Sequence, residues 1–128
     1  MSVKFYQNFA VAFEKLDQFS KQTLKDDLDK AGLIQGFEFT FEQCWKAIQK
    51  GAGAEGVKIV SPKSAFSWAM EKGWISNDDE PQWLDMLRDR NLTLHTYRED
   101  VAHAVIQNIL SMYVRLFTEL LQKMKQES

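Results

Sequence analysis

An arginine, an amide, an imidazole and a phenol fall within one short segment, Arg90-Asn91-Leu92-Thr93-Leu94-His95-Thr96-Tyr97, set between two long apolar-periodic runs. Arginine can clamp a phosphate, histidine can move protons near neutral pH, and asparagine can orient either a ligand or an imidazole. Together these types suit cleavage of a phosphodiester without metal. His95 would assist attack by an RNA 2′-hydroxyl or protonate the leaving oxygen, and Arg90 would stabilise charge building on the phosphorus oxygens. The same set suits plain nucleotide binding. It also has a purely structural reading, in which Asn91 and Thr93 end a helix, Arg90 pairs with an acid, and His95 and Tyr97 sit half buried at a corner.

Convergence depends on the elements that carry the segment. On one unbroken helix, five residues at about 100° each would leave Arg90 and His95 roughly 140° apart around the axis, too far for joint work on one small group. Thr96 and Glu99 have the spacing of a capping box and a strongly periodic run follows them. The spacing therefore predicts a chain break after Arg90 and a new helix from about Tyr97. That final helix, of some 28 residues, carries two adjacent apolar stripes. One is Val105, Ile109, Met112, Leu116 and Leu120; the other is Ile106, Leu110, Tyr113, Phe117 and Leu121.

Upstream, Phe5, Phe9, Phe13 and Leu16 mark an amphipathic helix from Phe5 to about Leu24. Asp26, Asp27 and Asp29 favour the start of a second, running to about Lys50 through Leu28, Ile34, Phe37, Phe41, Cys44 and Ile48. Gly32 and Gly36 keep its period, which argues for close approach of a neighbour along a small-residue stripe. The Gly51–Gly56 stretch reads as a flexible loop, and Val57-Lys58-Ile59-Val60 as an extended linker. Ser61-Pro62 launches a short helix that Gly73 stops, and the acids after Asn77 launch another, carrying Trp83, Leu84 and Leu87 to about Arg90. No strand pair is credible. The expected architecture is all-α, an antiparallel four-to-five-helix up-and-down bundle of three long and two short helices, forming a single domain over residues 1–128.

Glu38 and Glu42 lie four apart among Phe37, Phe39 and Phe41, with Trp45 three residues on. Partial burial would require an arginine partner, and Arg88 and Arg90 are the candidates. His95, Glu99 and His103 recur at four-residue intervals, but one solvated helix encloses a metal poorly and no fourth ligand is evident, so no metal and no cofactor is assigned. Walker-type phosphate loops, Gly-x-Ser-x-Gly turns and His-Glu-x-x-His are absent from the sequence.

Sixteen basic against eighteen acidic residues give a net charge of −2, so no global field draws nucleic acid or an anionic membrane. One cysteine, Cys44, excludes an internal disulfide and suggests a packed thiol. No run approaches a membrane span or a signal peptide, and the expected location is cytoplasmic. Nine phenylalanines and four tryptophans leave room for apolar surface that a second copy or another protein would cover.

The run Gly36-Phe37-Glu38-Phe39-Thr40-Phe41-Glu42-Gln43-Cys44-Trp45-Lys46, then Ser61-Pro62, then Trp83-Leu84-Asp85-Met86-Leu87 through Tyr97, resembles the nucleotidyltransferase substrate-binding proteins of the HEPN superfamily. The likeness covers nearly the whole chain. It implies an antiparallel helical bundle that dimerises, and a partner encoded beside it, a minimal nucleotidyltransferase of the DNA polymerase beta superfamily that carries the metal-binding carboxylates. It also implies one of two functions. The protein is either a non-catalytic subunit holding a nucleotide or nucleotidyl acceptor, or a ribonuclease toxin using Arg90 and His95. In the second case the partner is an antitoxin that adds AMP to Tyr97. Asn91, Tyr97, Glu38 and Glu42 are the expected binding or orienting residues.

Overall fold

The computed structural model describes residues 4–95 and 98–127. Their order is α1 (Gln7–Ser20), α2 (Asp27–Ala54), α3 (Pro62–Lys72), a 3-10 turn (Asn77–Asp79), α4 (Glu80–His95) and α5 (Glu99–Asn108). The last of these continues through a π-helical turn (Ile109–Tyr113) into α6 (Val114–Glu127). As α5, the π turn and α6 form one rod, the bundle has five helices and, among the described residues, no strand. Val57 to Val60 is a linker without regular secondary structure, as its isolation implies.

Local chemistry sets most of the boundaries. Asp26 caps α2 by accepting from the Asp29 backbone N–H at 2.9 Å, and the Asp29 carboxylate in turn accepts from the Lys25 N–H at 2.9 Å. Ser61 and Ser64 make a reciprocal capping box that spans Pro62, the first residue of the helix, and α3 stops at Gly73, which adopts φ 87°. α1 ends four residues short of the expected Leu24, where the Ser20 hydroxyl turns back to the Asp17 carbonyl at 2.7 Å.

α1 and α2 pack antiparallel along the glycine stripe. A Cβ on Gly32 would lie 3.3 Å from the Phe19 ring, and one on Gly36 would lie 3.6 Å from Leu16. Thr40 sits one turn on, its hydroxyl 2.7 Å from the Gly36 carbonyl and 3.3 Å from that of Ala12 across the interface. Aromatic rings then join every helix: Phe9 meets Phe117, Phe37 stacks on Tyr113, Phe41 meets Phe66, and Phe66 meets Trp83. Cys44 is fully buried, and burial pushes its thiol well above its ordinary range.

Three further expectations about boundaries are corrected. α2 does not stop near Lys50 but continues through Gly51, Ala52 and Gly53, because Gly51 and Ala52 are buried and packing offsets the glycine cost. A Cβ on Gly51 would sit 2.8 Å from Trp74 and 3.2 Å from Phe5, whereas one on Gly53 would meet nothing within 4 Å. Gly51→Ala is therefore expected to lower stability by about 1–3 kcal/mol through overpacking. Gly53→Ala should raise it by up to about 1 kcal/mol. Urea midpoints of the two variants, moving in opposite directions from the parent, check this.

The second correction is α4, which runs unbroken past Arg90 to His95, and the third is the rod, which begins at Glu99 with Arg98 in an extended conformation at its cap. Thr96 and Tyr97, and with them the expected capping box, lie outside the described residues. The rod also departs from plain α geometry. The Val114 N–H bonds back to the Ile109 carbonyl, five residues away, and of the two expected stripes Leu110 is left exposed.

Candidate functional site

Side chains from α2 and α4 build the first half of the site. Arg90 lies over Phe41, its guanidinium carbon 4.6 Å from the ring centroid, and its Nη1 is 3.6 Å from Glu42 Oε2. The expected pairing of an arginine with this acidic pair is thus met by Arg90 and Glu42. Glu42 is also held by the Trp45 indole, which donates to Oε2 at 3.1 Å, and by Lys46, whose ammonium is 3.3 Å from Oε1. Glu38 instead accepts from the Thr93 hydroxyl at 2.6 Å. Arg88, the other candidate, turns to Asp85 and Asp89 at 3.5 and 3.8 Å.

The second half faces the other way. Asn91 and His95 are exposed and line a shallow groove with Leu84, Leu87, Arg88 and Leu92. Leu84, expected inside, is 41% exposed on this rim. Since α4 is continuous, Arg90 and His95 keep the roughly 140° separation that a break would have removed. Arg90, only 17% exposed, belongs to the α2–α4 cleft, and His95 belongs to the solvent face. Within one chain, then, Arg90 gathers with Glu42, Phe41 and Trp45, and His95 gathers with Asn91 and Arg88. Tyr97 lies outside the described residues.

One buried group was missed by sequence reasoning. Asp89, 3% exposed, accepts from the Tyr113 phenol at 2.5 Å and from the Asn108 amide at 2.9 Å. Asn108 and Tyr113 are five apart, and the intervening π turn brings both to the same carboxylate. A signal was available: Trp83, Met86 and Asp89 recur every three residues, which puts a carboxylate in phase with the buried face. α4 is consequently held on two sides, by Asp89 to the rod and by Arg90 and Thr93 to α2.

Burial, then the Asp89 hydrogen bond, pushes the Tyr113 phenol far above the ordinary tyrosine range. In the unfolded chain the phenol would ionise near pH 10. The stability this contributes is fully present below that pH and is lost as pH rises above it. Absorbance titration should therefore find the same number of ordinary phenols in Tyr113→Phe as in the parent. One fewer in the variant would mean that Tyr113 titrates as an exposed residue.

This all-helical fold, with its acidic pair on α2 and its Arg-Asn-x-x-x-His run on α4, is a helical bundle of the type the sequence resembles. The family model described as "Nucleotidyltransferase substrate binding protein like" matches residues 4–126, and the chain belongs to that family. Among solved structures, the chain is similar to a protein of Thermus thermophilus known from its crystal structure. The two are 32% identical, with a TM-score of 0.81, over 91% of this chain and 98% of the other. Among curated proteins, none matches the chain. No helix of the described residues is long and apolar enough to cross a membrane.

Proposed function

We propose that this protein is the nucleotide- or acceptor-binding partner subunit of a minimal nucleotidyltransferase, in a two-component system, and that it acts as a homodimer. The family supports the nucleotidyltransferase link. The observation that carries the subunit role is the division of α4 into two faces. Arg90 is engaged with Phe41 and Glu42, and His95 is displayed outward, so one subunit offers no paired Arg–His centre for cutting a phosphodiester.

The outward face has the character of a contact surface. Leu84, Leu87 and Leu92 flank Arg88, Asn91 and His95, an apolar strip bearing a cation, an amide and an imidazole. A two-fold axis through this strip would bring two copies of Asn91 and His95 together while covering the leucines. Arg90 would enter such a cleft only after leaving Glu42.

The test compares nucleotidyl transfer by the co-encoded nucleotidyltransferase with and without this protein, alongside expression of this protein alone with cellular RNA monitored. The expected result is transfer that depends on the added subunit and RNA that stays intact. RNA degraded by the protein alone, and spared in Arg90→Ala and His95→Ala, would replace this reading with the ribonuclease toxin. A monomer in sedimentation would remove the dimer.

A further inference from the structure

The last turn of α4, Asn91 to His95, is tied to the bundle by one side chain. Asn91, Leu92, Leu94 and His95 are all exposed, the two leucines by 41% and 53%, so no apolar anchor fixes this end of the helix. Thr93 alone turns inward, and its hydroxyl donates to Glu38 Oε2 on α2 at 2.6 Å. Its alternative acceptor, the Arg90 carbonyl in its own helix, is farther at 3.2 Å and uncharged. The shorter contact has the length of a charge-assisted O–H···O⁻ bond. Among the described residues, no other side-chain hydrogen bond or ion pair joins this turn to another element, and Glu38 has no other hydrogen-bond partner.

Helix geometry turns that contact into a direction for His95. Residues two apart on an α-helix lie about 200° apart around the axis, so pinning Thr93 toward α2 sends both Asn91 and His95 to the far side. Those two are about 40° apart, and they share the outward groove. One turn along α2 from Glu38, Glu42 meets Arg90, so the acidic pair makes two rungs to α4 in antiparallel order. The rungs carry different loads. The body of α4 is held by buried Trp83, Met86 and Asp89 and by Arg90 over Phe41. Beyond Arg90 only the Glu38 rung remains.

From an otherwise unanchored turn with a single short tether, we infer that Glu38 and Thr93 are positioning residues for His95. Their hydrogen bond holds the end of α4 in register and presents the imidazole on the outward face. The acidic pair on α2 therefore orients α4 and is not itself the ligand site. This inference rests on the reading of that outward face as the one that serves the nucleotidyltransferase.

Thr93→Val keeps the shape of the side chain and loses the hydroxyl, whereas Thr93→Ser keeps the hydroxyl. Hydrogen exchange at the Leu94 and His95 amides of the full chain reads the tether, and partner-dependent nucleotidyl transfer reads its consequence. Thr93→Val is expected to speed exchange at both amides by about threefold to tenfold, with Thr93→Ser staying within about twofold of the parent. Thr93→Val should also lower transfer by about threefold to tenfold in the parent, but by less than about twofold in a His95→Ala background, because it acts through the imidazole. Unchanged exchange or undiminished transfer in Thr93→Val would overturn the inference. So would exchange in Thr93→Ser as fast as in Thr93→Val, or an equal loss of transfer with and without His95. If the parent gives no subunit-dependent transfer, the subunit reading falls, and the exchange rates alone decide whether Glu38 holds the turn.

Discussion

Asp89→Ala is expected to lower the unfolding free energy by about 2–4 kcal/mol, since it strips the acceptor from two buried donors and leaves a void. The donors are the Tyr113 phenol and the Asn108 amide, both committed to Asp89 Oδ2. Asp89→Asn keeps one acceptor oxygen and gives up a buried charge, so it should cost less, about 1–2 kcal/mol. Because Asp89 and Tyr113 share one contact, Asp89→Ala and Tyr113→Phe should be non-additive. Combining them is expected to cost less than the sum by about 0.5–3 kcal/mol. Urea unfolding of the two single variants and the double variant, with unchanged denaturant slope, measures this directly. A cost for Asp89→Ala within about 0.5 kcal/mol, the range of an ordinary surface change, would show that the carboxylate does not anchor α4 to the rod.

The second large effect separates the two halves of the proposed site. His95 is exposed at the end of α4, so His95→Ala should change stability by no more than about 0.5 kcal/mol. If the outward face binds the partner or the acceptor, the same variant should lower partner-dependent transfer by about tenfold or more, the loss of roughly 1.4 kcal/mol of contact. Arg90→Ala should behave differently. It removes the cation over Phe41 and one of the two cations on Glu42, Lys46 being the other, at a cost of about 1–2 kcal/mol, and so should lower melting temperature and activity together. Thermal melts and transfer assays on the same preparations distinguish the two patterns. Should His95→Ala retain full transfer while Arg90→Ala loses it at unchanged stability, function would move to the α2–α4 cleft and the outward strip would be surface alone.

Both effects depend on a rotation of α4 that the bundle imposes. Thr93 reaches Glu38 across 55 positions of sequence, and Asp89 reaches Tyr113 across 24. Each contact is specific to one helix face. Together they turn Leu84, Arg88, Asn91 and His95 outward, which is why a local reading places Leu84 inside and expects Arg90 and His95 to converge. The π turn belongs to the same account, because it brings Asn108 and Tyr113 to a single carboxylate that no short-range pattern pairs with them.

What the sequence by itself determined is the part of the structure written within one or two turns of chain. The caps at Asp26 and Ser61, the stop at Gly73, the Gly32 and Gly36 stripe and the helical periods all follow from neighbours a few positions apart, and the family from such runs taken along nearly the whole chain. The pairing of Glu42 with an arginine was legible too, because an acid among phenylalanines needs a counter-charge. Only the tertiary structure decided where α2 ends, since burial of Gly51 and Ala52 against Trp74 outweighs the intrinsic cost of glycine in a helix. It alone decided that Asp89 bridges α4 to the rod and that Arg90 and His95 lie on different faces. The physical reason is the same in each case: propensity and capping act along the chain, whereas the rotation and ends of a helix are settled by which of its faces finds a partner across the core.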